Sequence, residues 1–240
     1  MVFINTSGGG LRSALWTVHV LNFLDSITNQ RLTKQTHLIT GASGGMIGAA
    51  FYRENYKKGI YGETMVNGNE MKRRISKDLL NPLAFSIATT DMFYRFKKHD
   101  DGKYIYTKDR GWFFEKNLIE NLNCFEGKRI LDYKLPEYYS DIPMMIFSPS
   151  VVNDGRRLLI SPQKITFLCN TDTSLFSGKI ALENIEFSTL FNKNDPQYLK
   201  ISSAMRMNAT FPYILPMVFL PSEPKIEVMD AGLRDNLGLT

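Results

Sequence analysis

The sequence predicts an α/β domain with a mostly parallel sheet flanked by helices. Two observations carry this. Near the amino terminus, a short β-rich apolar run passes through a glycine loop into a helix-like segment, and the pattern then repeats. The first unit reads "VFINT", "SGGG", "LRSALWTVHVLNFLDSI"; the second reads "THLIT", "GASGG", "MIGAAFYRENYKKG". Parallel neighbours need a crossover between them, so strand, loop and helix in succession point to a parallel sheet covered by helices. A chain of 240 residues with 43% apolar and 22% charged content is long enough for one substantial core.

The elements follow in order. In the first helix Leu15, Val18, Leu21 and Leu24 recur about a turn apart. The second helix ends at Gly59, a common stop. Residues 63–80 read as a charged helix. The stretch Leu79–Phe96 is apolar and partly aromatic, with Met92, Phe93, Tyr94 and Phe96 among Arg95, Lys97 and Lys98. Core packing is the favoured reading there, with a lid or interfacial surface as the alternative. "DRGWFFEKNLIENL" reads as an amphipathic helix, and "IPMMIFSPSVVNDGRRLLISP" as two strands about an Asn-Asp-Gly turn. "KITFLC" is a further strand candidate. "QYLKISSAMRMNATFPYILP" reads as a helix ending before Pro212, and "KIEVMDAG" as a short strand entering a small-residue turn. No repeat or linker divides the chain, so residues 1–240 are expected to form a single domain. The chain begins inside a strand-like run and stops at "DNLGLT", where a helix starts, so a longer protein is expected around it.

The formal charge of +5 is modest. The clusters Lys57-Lys58, Lys72-Arg73-Arg74, Lys97-Lys98 and Arg156-Arg157 read as solvated faces, with contact to an anionic membrane surface as the lesser reading. No basic stripe with interleaved aromatics favours nucleic acid. Cys124 and Cys169 form no CxxC pair, and His19, His37 and His99 lie far apart. Neither a metal nor another cofactor is therefore expected. No apolar run approaches the roughly 20 residues needed to cross a bilayer. The expected location is the cytoplasm or the cytoplasmic face of a membrane.

The glycine loops narrow the chemistry. Gly8-x-Gly10-x-x-Ser13 nearly matches a dinucleotide fingerprint, but the second strand ends in Thr40-Gly41 without the acidic residue that would hold a ribose. No GK[ST] follows either loop, so both nucleotide readings are weak. Gly41-Ala42-Ser43-Gly44-Gly45 fits GxSxG between a strand and a helix. In that setting small neighbours let the serine take a strained conformation with Oγ outward, and the helix N-terminus offers N–H groups to a forming oxyanion. Ser43 is thus a candidate nucleophile, with Gly41 and Gly45 as the small residues of its elbow. The alternative is a tight turn with a packing serine.

A nucleophilic serine needs a base. No histidine follows His99, which sits in the polar run "KKHDDGKY" expected to be an exposed loop, while His19 and His37 precede the serine. A desolvated aspartate can serve instead. Asp230, following the alternation "KIEV" and preceding Ala231-Gly232, is the best placed, although an aspartate before such a turn is also an ordinary cap.

In order and position, "SGGGLR", "GASGG" and "DAG" resemble the patatin-like phospholipases, which share a catalytic core with the cytosolic phospholipases. The segment "SSAMRMNATFPYILP" and the Asn-Asp-Gly hairpin are also similar to that family. The likeness runs from Asn5 to Leu237. It implies a three-layer α/β fold and hydrolysis of lipid acyl esters by a Ser–Asp dyad without histidine or cofactor. Ser43 would be the nucleophile, Asp230 its base, Gly8, Gly9 and Gly10 the oxyanion-hole loop, and Arg12 a residue fixing that loop or meeting a lipid phosphate. The partner implied is a lipid or fatty-acyl ester, with peripheral contact to a membrane surface. Ser7 stands where the plant-type sequences carry an aspartate, and Asp-Ala-Gly replaces Asp-Gly-Gly, so the substrate is left open. An acyltransferase or thioesterase on the same fold, or a non-catalytic lipid-binding module, are the alternative functions.

Overall fold

The computed structural model describes residues 1–79, 81, 83–85, 98–100, 105–169, 183–191 and 195–239. Strand β1 (Val2–Thr6) leads through the first glycine loop into α1 (Gly10–Ile27). A short helix α2 (Arg31–Gln35) precedes β2 (Thr36–Gly41), which turns directly into α3 (Ser43–Ile60). β1 and β2 pair in parallel, with Ile4 opposite Ile39 and Thr6 opposite Gly41. β5 (Met144–Met145) adds to the far side of β2, also in parallel. The two glycine loops therefore emerge side by side at the carboxyl ends of neighbouring parallel strands, where open α/β sheets place their sites.

A second sheet has the order β8-β7-β6-β10-β9, formed by Asn184–Glu186, Arg157–Leu159, Ser150–Val151, Ile226–Met229 and Val218–Leu220. Only β7 and β8 run parallel in it. The expected hairpin is its β6–β7 pair: Gly155 takes the positive φ of 76° that the Asn-Asp-Gly turn requires, and its N–H donates to Val151 O at 2.8 Å. A bridge between Phe147 and Ile160 connects the chain after β5 to the chain after β7. The α/β architecture and its helical cover are thus as expected.

Helix α1 packs on α3, and α4 (Gly68–Ile75), α5 (Arg110–Leu122) and α7 (Ile201–Asn208) close around them; a short helix α6 (Lys134–Tyr138) precedes β5. Val18, Leu21, Ile39, Met46, Phe51, Leu118, Met145 and Val228 meet in one apolar core. Helix α3 is enclosed over most of its length, so even Arg53, Glu54 and Asn55 are buried. Each has a polar partner, although Arg53 Nε is left without one among the described residues. Arg53 pairs with Glu137 at 2.5 Å; Glu54 accepts from Lys128 and, at 2.6 Å, from the Tyr133 hydroxyl. Asn55 binds both Val66 N–H and Val66 C=O. Burial pushes the Glu137 carboxyl up to about 7, against the opposing pull of Arg53.

Several expectations are corrected. "KITFLC" is not a strand: Thr166–Leu168 form a 3-10 turn. The Glu186 carboxylate at the end of β8 accepts from Ile165 N–H and Thr166 Oγ1, which curls the run instead of leaving it extended. The charged helix expected over 63–80 is confined to Gly68–Ile75, capped by Asn67, whose side chain accepts from Glu70 N–H. His99 lies in the β3–β4 hairpin (Lys98–Asp100 and Ile105–Thr107), not a loop, and its ring packs against Trp112. Arg157 is not part of a solvated face: it is buried, bonded to Asn184 at 2.8 Å and close to Asp235. In the stretch Leu79–Phe96, Leu79 and Leu83 are buried in the core, in line with the favoured reading, whereas residues 80, 82 and 86–97 lie outside the described residues. Among the described residues no helix is long and apolar enough to cross a membrane.

Candidate active site

Each functional position arises from a strand ending. β2 finishes at Gly41, whose Cα lies tight against β1: a Cβ there would sit 2.0 Å from Thr6 Oγ1. Ala42 N–H then donates to Thr6 O at 3.0 Å, turning the chain sharply. Ser43 follows with φ 50°, a left-handed conformation disfavoured for a residue with a side chain and frequent at functional sites. It is also the first residue of α3, whose opening N–H groups lack intrahelical acceptors. Gly44 allows the two loops to meet. A Cβ on it would lie 1.8 Å from Gly10 O, so no larger residue fits without separating them.

The first loop is held by Ser13, whose hydroxyl donates to Ser7 O at 2.5 Å. Its amides are not equivalent. Gly8 N–H donates to Asn236 O at 2.9 Å, while the N–H groups of Gly9 and Gly10 have no partner among the described residues. The Asn236 side chain also leans over the loop, with Oδ1 occupying the space a Gly8 Cβ would need.

Asp230 comes from the other sheet. It follows β10, and its N–H donates to Thr210 O at 3.0 Å, fixing it beside the end of α7. The side chain is only 3% exposed. Oδ1 accepts from Gly232 N–H at 2.7 Å, whereas Oδ2 is buried with no hydrogen bond of good geometry. Burial raises the carboxyl's pKa above the ordinary aspartate value; the Gly232 amide and the Ser43 hydroxyl pull it back less strongly. Ser43 and Asp230 line the same cavity, so the hydroxyl and this carboxylate face a common space.

All three elements face one cavity of about 500 Å³, within the range of small-molecule sites. Gly8, Gly9, Gly10, Ser43 and Asp230 form its polar floor, and Asn236 its rim. Ile47, Leu79, Leu83, Phe114, Ile214 and Leu215 supply apolar walls. Such a space, apolar with a few convergent polar groups, has the make-up of a small-molecule site. A second cavity of about 360 Å³, between α5 and α7, is lined by His99, Trp112, Glu115, Lys116 and Arg206 and contains none of these residues.

The structure thus gathers Ser43, Asp230 and the loop Gly8–Gly10, with Gly41 and Gly45 shaping the elbow. It does not bring Arg12 to them: that side chain is exposed and does not line the cavity. Two contributors escaped the sequence reading. Asn236 lay in what looked like a chain end. Asn208 is fully buried, donates to Gly41 O at 3.1 Å and accepts from Ser148 N–H at 2.9 Å. The only trace of it in the sequence is an asparagine closing the helix Ile201–Asn208. Among the described residues no His, Cys, Asp and Glu cluster is placed to hold a metal ion.

Among solved structures, VipD from Legionella pneumophila superposes with a TM-score of 0.47 at 11% identity, covering 98% of this chain and 46% of VipD; the chain therefore spans about half of that protein's length. No curated protein sequence matches the chain. The family model described as patatin-like phospholipase matches residues 6–240, nearly the entire length, and includes both glycine loops and the Asp-Ala-Gly turn. The chain belongs to the patatin-like phospholipase family.

Proposed function

We propose that this chain hydrolyses the acyl esters of lipids through Ser43 and Asp230. The observation that carries the proposal is the pairing of a serine held at φ 50° on a helix N-terminus with a buried carboxylate whose Oδ2 is unpartnered, both facing one apolar cavity. Family membership supports a lipid hydrolase in general; the roles below come from the geometry.

In the acylation step Asp230 takes the hydroxyl proton as Ser43 Oγ attacks the ester carbonyl carbon. The carbonyl oxygen becomes an oxyanion. Gly9 and Gly10 N–H, both without partners, and Gly44 N–H at the start of α3 are the donors available to it. Gly8 N–H is engaged by Asn236, so Gly8 serves by shaping the loop. Collapse of the tetrahedral species breaks the ester C–O bond. The leaving alcohol collects the proton from Asp230, and the acyl group stays on Ser43. A water molecule, deprotonated by Asp230, then releases the fatty acid and restores the serine. Burial of Asp230 fits this role, because desolvation raises the proton affinity of a carboxylate that would otherwise be a weak base.

The test is release of free fatty acid from a phospholipid and from a soluble short-chain ester. Ser43→Ala and Asp230→Asn should each lower both rates by at least about a thousandfold. Wild-type rates in either variant would remove that residue from the mechanism. Adding an alcohol acceptor identifies the deacylating nucleophile: free acid as the main product supports hydrolysis, and a transferred ester would assign acyl transfer.

A further inference from the structure

The turn after α7 carries an aromatic side chain that the fold itself does not use. Residues Phe211-Pro212-Tyr213-Ile214-Leu215-Pro216 form a closed loop, with Leu215 N–H donating to Phe211 O at 3.0 Å. Its inward side ends in Leu215, which is buried. Its outward tip is Tyr213, 95% exposed and held at φ 68°. A left-handed conformation is unfavourable for tyrosine, and no packing of its ring offsets that here. The tip is nevertheless anchored: Arg110 Nη1 donates to Tyr213 O at 3.2 Å, and prolines stand on both flanks. The loop is built to project this ring.

What surrounds the tip indicates the purpose. Phe211, Ile214 and Leu233 line the cavity above Ser43 and are also 57%, 41% and 56% exposed. Residues that both line a cavity and face solvent form its mouth. On the side of Phe211, Ile214 and Leu233 the apolar interior thus continues onto an exposed rim, with Asn236 a polar member of the mouth, and Tyr213 projects between Phe211 and Ile214 in the same loop. An acyl chain leaving a bilayer would meet an apolar surface from the membrane to the serine. Tyrosine suits the boundary, since its ring is apolar and its hydroxyl can stay among hydrated headgroups.

We propose that the loop 211–216, with Leu233, docks the protein on a phospholipid bilayer, with the Tyr213 ring entering the headgroup region so that the cavity mouth opens onto the lipid. This rests on the lipid-ester reading of the cavity, but the docking itself can be measured without catalysis.

The experiment uses the Ser43→Ala protein, so that vesicles stay intact, and measures co-sedimentation with vesicles of phosphatidylcholine and of phosphatidylcholine mixed with phosphatidylserine. Tyr213→Asn removes the ring while keeping a residue tolerant of left-handed φ. It should weaken partitioning to phosphatidylcholine vesicles by about tenfold, and Tyr213→Trp should retain it. With Ser43 intact, Tyr213→Asn should lose activity on vesicle phospholipid and keep the wild-type rate on a soluble short-chain ester. That retained rate also shows that the variant is folded. Equal partitioning of Tyr213→Asn and its parent would overturn the proposal. So would binding seen only with phosphatidylserine and abolished by salt, or a Tyr213-dependent dimer in light scattering with unchanged vesicle binding. Tyr213-dependent partitioning by a protein that hydrolyses neither ester would leave the docking in place and refute the catalytic reading. Hydrolysis of the soluble ester without Tyr213-dependent partitioning would do the reverse.

Discussion

Asn208 and Gly41 are joined by a hydrogen bond of 3.1 Å that links the last turn of α7 to the strand end two residues before Ser43. The same carboxamide accepts from Ser148 N–H at 2.9 Å, so one buried side chain satisfies backbone groups from two segments. Asn208→Leu would leave an N–H and a C=O without partners in a fully enclosed place. The expected loss is about 1–3 kcal/mol of folding free energy, read as a lower denaturant midpoint. Ester turnover should also fall, because the elbow loses its brace, while Asn208→Asp should recover part of the contact to Ser148.

The contact between the glycine loops makes a contrasting pair of predictions. Gly44→Ala would put a methyl group on the Gly10 carbonyl, where backbone meets backbone and neither side can yield cheaply. Stability and turnover should both collapse. Gly10→Ala meets nothing within 4 Å, and its only cost is the positive φ of 62°. That variant should fold, losing about 1 kcal/mol. Thermal unfolding of both proteins separates a steric requirement from a conformational one.

Asp230 predicts opposite effects on activity and stability. Its carboxyl is raised by burial, so the proposed base should protonate, and turnover fall, at a pH above the ordinary aspartate value of 3.8. The acid limb of kcat/KM should report this, and a limb at or below that value would contradict it. In stability the folded protein holds this proton to higher pH than the unfolded chain does. As pH rises from the unfolded pKa through the raised folded one, folding therefore loses free energy, and above that window the loss is complete. Asp230→Asn keeps an oxygen for Gly232 N–H and removes the charge. It should raise Tm at neutral pH while abolishing turnover, with the gain in Tm vanishing at low pH.

The buried ion pair of α3 supports the scaffold rather than the chemistry. Arg53→Met removes the cation facing Glu137, whose carboxyl then has only the Met145 N–H, at 3.3 Å, and the side chain of Gln163 to favour its charged form. The expected destabilisation is about 3–5 kcal/mol, checked by equilibrium denaturation. The double variant Arg53→Met, Glu137→Leu should recover much of that loss.

The sequence displayed the site more clearly than the scaffold. Both glycine loops, their flanking strands and the Asp-Ala-Gly turn were legible, because a sharp turn or close backbone contact admits few residue types. The burial of Arg53, Glu54 and Asn55 was not legible, since the groups that satisfy them lie far away in sequence. Those partners, Glu137, Lys128 and Val66, belong to three other segments. "KITFLC" had a strand's composition, but the Glu186 carboxylate, twenty residues on, redirected its backbone. Asn208 was hidden for a similar reason: its role is defined by Gly41 and Ser148, which only the fold brings to it. The assignment of Gly8 as an oxyanion donor was limited by Asn236, whose carbonyl occupies that amide through a contact invisible in the motif.

The central claim is that Ser43 becomes acylated with Asp230 as its base, and covalent labelling tests it most directly. The protein is treated with a fluorophosphonate ester and the modified peptide is located by mass spectrometry. The account predicts one adduct, on Ser43, absent from Ser43→Ala and formed at least about a hundredfold more slowly in Asp230→Asn. An unlabelled Ser43 in a folded protein that hydrolyses lipid esters, or equally fast labelling in Asp230→Asn, would contradict it.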